Sequence, residues 1–119
     1  PMIGRLILTL FHARTAAHVL HLTTKSYAVH VALNEFYEKL IPLTDSLAEA
    51  YTGAYGLIEF PETPYRTPAS AEDLMEDVMA ALNKYATKCW SPQDTYLENI
   101  ADEIRALTSG TLYKLSYLK

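Results

Sequence analysis

The four histidines of this chain, His12, His18, His21 and His30, all fall in its first third, and a pair of carboxylates, Asp45 and Glu49, follows them. Imidazole and carboxylate are donors that iron, manganese and zinc accept. His18 and His21 are three apart and Asp45 and Glu49 four apart, so each pair shares one face of a helix. His30 and Asp45 are fifteen apart, which is about 22 Å along a straight helix. Those two cannot hold one ion within one chain. An antiparallel copy of the same helix would set His30 of one subunit beside Asp45 and Glu49 of another, and two-fold symmetry would then make two identical sites. A metal site drawn from His18, His21, His30, Asp45 and Glu49 therefore requires at least a homodimer.

Other reactive residue types read more plainly. Glu98 and Asp102 are a second acid pair at helical spacing, expected on a solvated face. A weaker alternative joins them to His18 and His21 in a site within one chain. His12 has no matching partner and belongs at a surface or interface. Cys89, the sole cysteine, excludes an internal disulfide and a Cys-rich metal site. With Trp90 beside it at the end of a helix, it reads as a packed thiol. Of nine tyrosines, Tyr27, Tyr37 and Tyr51 fall near the proposed site, where packing at subunit interfaces is their ordinary use. The chain has no phosphate-binding loop, Cys-x-x-Cys, His-Glu-x-x-His or nucleophile elbow.

The elements that must position these residues are helices. Ile3, Leu6, Ile7, Leu10, Phe11, Ala17, His18 and His21 recur at three- and four-residue steps over about 2–23. Ser26 is a natural N-cap for a second helix over about 26–54, with Leu33, Tyr37, Leu40, Leu47 and Tyr51 as its stripe. Pro42 falls inside it, but the apolar period resumes in phase, which predicts one bent helix rather than two. Gly53, Gly56, Pro61, Pro64 and Pro68 then mark a long connection, expected as a crossover along a bundle. Ser70 caps a third helix over about 71–89. Ser91-Pro92 starts a fourth over about 92–118. Nothing alternates with period two. At 119 residues, half of them hydrophobic and a fifth charged, the chain makes one domain, all-α, most simply a four-helix bundle.

Charge and hydropathy narrow the partners. The net charge of -4 and the lack of a basic arm disfavour nucleic acid, Lys114 and Lys119 being too few to form one. The apolar run from Met2 to Phe11 is about half the roughly 20 residues of a membrane span, and Arg5 interrupts it. No membrane association is expected, and the cytoplasm is the expected compartment.

The intervals from His18 to His30, from His30 to Asp45 and from Asp45 to Glu49 resemble the ferroxidase signature of the Dps-like miniferritins of the ferritin-like superfamily. The segment Asp45-Ser-Leu-Ala-Glu49 is similar to that family's D-x-x-A-E, and Gly56 falls where its second helix ends. The likeness covers mainly residues 18–56. It implies a ferritin-like four-helix bundle, a homo-oligomer up to a hollow dodecamer, and iron bound between two-fold-related subunits. There Fe(II) is oxidised by peroxide or oxygen and sequestered. Carried over by residue, His18 and His30 would be ligands from one subunit and Asp45 and Glu49 from its neighbour, with His21 a rival for the first role. Zinc or manganese are alternative metals. The departures are Val19 where the family has Trp, Asn34 where it often has an acid, and Ala50 where Arg is usual. They favour a second expectation, a non-enzymatic helical assembly or interaction protein with a degenerate metal site.

Overall fold

A computed structural model describes residues 2–118 of the chain. It contains four helices, α1 (Met2–Thr23), α2 (Tyr27–Tyr55), α3 (Ala71–Cys89) and α4 (Thr95–Tyr117), and no strand among the described residues. Their stripes meet in one core. Leu6, Ile7 and Leu10 of α1, Leu33, Phe36, Leu40 and Leu47 of α2, Met75 and Leu82 of α3, and Leu97, Ile104 and Leu115 of α4 are fully buried. Tyr37, Tyr51, Tyr85 and Cys89 lie half-buried at the edge of that core. The molecule's long axis is 43 Å, close to the length of a helix of the 29 residues in α2.

Local chemistry sets the boundaries. The Ser26 hydroxyl accepts from the Val29 N–H at 3.3 Å, and Ser70 accepts from Asp73 at 3.1 Å, so both predicted N-caps form. The helix α2 runs unbroken through Pro42. Proline deprives the carbonyl of Glu38 of its helical donor, but both residues are exposed and water can take its place. The helix ends at Gly56, whose φ of 100° is open to glycine and strained for other residues. The fourth helix starts at Thr95, later than Ser91-Pro92 predicts, after a turn in which the Asp94 N–H donates to the Ser91 carbonyl at 2.9 Å. The reason is tertiary: the Tyr55 hydroxyl at the end of α2 accepts from the Ser91 N–H and donates to the Asp94 carboxylate. That contact raises the Tyr55 phenol above its usual range, chiefly through the hydrogen bond to Asp94.

Contacts also give the chain direction. The helix α1 packs on α2 and α3, and α4 packs on the same two. Tyr55 on the α3–α4 turn puts the C-terminal ends of α2 and α3 together. Lys114 of α4 bonds Glu35 near the start of α2 at 2.6 Å, so α4 is antiparallel to α2. Residues 56–70 run along α1: the Glu59 carbonyl and Pro61 lie over Gly4, and Tyr65 meets His12. The connection thus travels the bundle and delivers α3 parallel to α2, as expected of a crossover. Gly4 permits it, because the Glu59 carbonyl oxygen occupies the space a Cβ would take.

Candidate functional site

Three of the four histidines gather where α1 gives way to α2. The turn between them is short. The Thr24 N–H donates to the Leu20 carbonyl at 3.0 Å, and the Ser26 N–H to the Thr24 hydroxyl at 3.2 Å. This reversal sets His21, in the last turn of α1, against His30, in the first turns of α2. Their rings stack with centroids 3.6 Å apart and planes 20° apart. Each ring also bonds the other residue's backbone. His21 Nδ1 lies 2.8 Å from the His30 carbonyl oxygen, and His30 Nδ1 lies 2.8 Å from that of His21. A carbonyl only accepts, so both Nδ1 atoms carry the proton. In the neutral rings both Nε2 atoms then keep their lone pairs.

This reciprocal clasp has a structural role. The His21 carbonyl lies in the last turn of α1, where carbonyls lack helical donors, and the His30 imidazole supplies one. His21 is buried, while His18 and His30 are half-buried. His18 stacks on Tyr37 of α2 at 4.6 Å and stands 5.9 Å from the His21 ring. The Arg14 guanidinium lies 5.6 Å from the Tyr37 ring centre, within cation–π range, and the Tyr37 hydroxyl donates to Asn34 at 2.8 Å. Tyr27 flanks the cluster, its ring 6.3 Å from that of His30.

The carboxylates are elsewhere. Asp45 and Glu49 are exposed on α2, well beyond His30 toward the far end of that helix. Among the described residues no three His, Cys, Asp or Glu side chains converge as a metal-holding group. A single chain thus brings His18, His21 and His30 together and leaves Asp45 and Glu49 apart from them. Glu98 and Asp102 are not near the histidines either. They bond Arg105 at 2.6 and 2.8 Å, and Glu98 also accepts from the Trp90 indole at 3.3 Å. His12 packs edge-on against Tyr65, ring centres 5.6 Å apart. Cys89 is half-buried, and burial pushes its thiol above the usual range. Sequence spacing alone misses Arg14 and the mutual backbone bonds of His21 and His30. Arg14 has a signal, lying four residues before His18 on the same helix face. The clasp has none, since its partners face each other only across the turn.

Taken together, this is an all-helical bundle with an imidazole cluster at one corner and two exposed acids farther along the same helix. The chain belongs to a family of unknown function, DUF5856, whose model matches residues 21–115. No curated protein and no solved structure matches it. The matched segment includes His21, His30, Asp45 and Glu49.

Proposed function

We propose that the chain is the subunit of a ferritin-like, Dps-like homo-oligomer that binds and oxidises Fe(II) between two-fold-related copies. The observation that carries this reading is the placement of His30 near the start of α2, at the same corner as His18 of α1, and of the exposed Asp45 and Glu49 toward the other end of α2. A two-fold axis across α2 would pair the two ends. His30 is oriented as a ligand would be, because metal-ligating imidazoles commonly donate their other N–H to a backbone carbonyl, which fixes the ring. His21 is buried, which leaves His18 as the better first ligand. The connection order, with one long crossover, is that of ferritin-like bundles.

The surface also fits a partner copy. Leu22 and Tyr27, 69% and 80% exposed, lie at the corner, while Leu57 and Phe60, 92% and 51% exposed, lie beyond Glu49. In an isologous contact each patch meets the other patch of its mate. Iron is here the substrate. Two Fe(II) ions each give one electron to hydrogen peroxide, which takes up two protons and leaves as two waters. The protein holds the ions on imidazole and carboxylate and leaves coordination positions open to the oxidant. The test is the optical rate of oxidation of added Fe(II). Loss of that rate in Asp45→Ala/Glu49→Ala is expected; equal rates in variant and wild type would refute the catalytic reading.

A second reading has its own support. Asn34 lacks the charge of an acid and already accepts from Tyr37, and the histidine clasp is sufficient as a structural fastening. On that reading the chain is a non-enzymatic helical assembly protein. Metal analysis of protein purified without chelator separates the two. Stoichiometric iron that disappears in His30→Ala speaks for the first, and metal-free assembly for the second.

A further inference from the structure

A groove on the opposite side of α1 has no part in the proposed iron site. It lies between α1, the crossover and α3, encloses about 350 Å³, and has Ala13, Ala16, Leu74 and Val78 on its apolar floor. That volume is at the lower end for small-molecule sites. His12, Arg66 and Lys84 stand along it, and a second hollow that shares Lys84 and Tyr85 adds Arg5 and Lys88. Four of the ten Lys and Arg residues thus line this region, against one of the 14 acids, Asp77. In a chain of net charge -4 that is a marked segregation.

Local needs account for only part of it. Asp77 faces Arg66 at 3.7 Å. Lys88 in the last turn of α3 complements the negative end of the helix dipole. Arg5 and Lys84 remain, and neither takes part in an ion pair among the described residues. Lys84 Nζ lies 5.3 Å from the centre of the Tyr85 ring. The crossover wall of the groove holds the Thr63 hydroxyl, buried without a hydrogen-bond partner. An apolar floor with an unbalanced cationic rim selects a ligand with both characters.

We propose that this groove binds a small amphiphilic anion, an aryl or alkyl carboxylate or phosphate, with its apolar body on Ala13, Leu74 and Val78 and its charged head at Lys84. The proposal is independent of the iron reading. It is tested by titrating the full chain with 2-naphthyl phosphate, 2-naphthoate, neutral 2-naphthol and inorganic phosphate, following binding by calorimetry. Both naphthyl anions should bind; naphthol should bind at least about tenfold more weakly, the ratio of one lost charge-assisted contact, and inorganic phosphate at least about tenfold more weakly because it has no apolar body to bury on the floor. Lys84→Glu should weaken the anions by about the same factor without changing naphthol. Ala80→Trp, at the exposed rim, should reduce all naphthyl binding. Lys84→Gln keeps the test in force if the Glu variant fails to fold by circular dichroism. Equal binding of naphthol and the anions, unchanged binding in the Lys84 variants, or no binding at all would overturn the proposal. So would loss of binding in Leu57→Ser, which would assign the ligand to the exposed patch at the end of α2.

Discussion

At the scale of the residue, His21 and His30 carry the most information. Their spacing of nine residues belongs to no helical repeat, so nothing in the sequence joins them. The structure joins them because a three-residue turn reverses the chain between them. The two bonds of the clasp are unequal in consequence. The His30 carbonyl lies inside α2, where the helix's own N–H groups satisfy it. The His21 carbonyl lies in the last turn of α1 and relies on the His30 ring. Phenylalanine keeps the stacking and removes the donor. His30→Phe should therefore cost about 1–2 kcal/mol of stability and His21→Phe distinctly less, because an unsatisfied buried carbonyl costs more than a lost second bond. Urea melts of the two variants measure the difference, and equal losses would show that the stack rather than the backbone bonds holds the corner. The intervals among His30, Asp45 and Glu49 were legible because they follow the helical rise of α2, whereas that from His18 to His30 crosses the turn. The tautomers of His21 and His30, which set what each ring can bind, became legible only through the carbonyls opposite them.

At the scale of the element, the four helices were legible to within a few residues, because periodic stripes and caps such as Ser26 and Ser70 act locally. The start of α4 was not, because Tyr55 comes from another helix to hold Ser91 and Asp94. Nor was the role of Gly4, which depends on where the crossover lies. Two glycines in helices should respond oppositely to alanine. Gly4→Ala places a Cβ against the Glu59 carbonyl and should cost about 1–3 kcal/mol through overpacking. Gly110 is exposed in α4 with open space around it, so Gly110→Ala should stabilise by up to about 1 kcal/mol. Thermal melts of both variants check the signs. The junction of α2 and α4 supplies a pH dependence. Lys114 holds the Glu35 carboxyl below its usual value, first by its hydrogen bond and then by its charge. A lowered carboxyl contributes stability above the ordinary value of 4.5 and loses it as pH falls through the folded value. Glu35→Gln should therefore lower the melting temperature slightly at neutral pH and leave it unchanged once Glu35 is protonated. Both partners are well exposed, so the effect is small and shrinks with salt.

At the scale of the whole molecule, the question is whether one chain is the working unit. Its core is continuous and its helices close on one another, so folding alone does not demand a partner. The proposed iron site demands one, since α2 is a single unbroken helix that keeps His30 apart from Asp45 and Glu49 within a copy. Complementation between two inactive variants isolates this point. In His30→Ala each proposed two-fold site loses one of its imidazoles, and in Asp45→Ala/Glu49→Ala each loses its carboxylates. A mixed pair of the two holds one site with both defects and one with none, because each site draws its imidazole and its acids from different copies. Unfolding and refolding an equal mixture should therefore restore Fe(II) oxidation to about a quarter of the wild-type rate, half the pairs being mixed and half their sites intact. Each variant refolded alone should stay inactive. A site contained in one chain gives no recovery in the mixture, because every chain then carries a defect of its own. A protein that assembles normally and shows no recovery would fit the non-enzymatic reading, and the exposed residues at the two ends of α2 would then serve assembly alone.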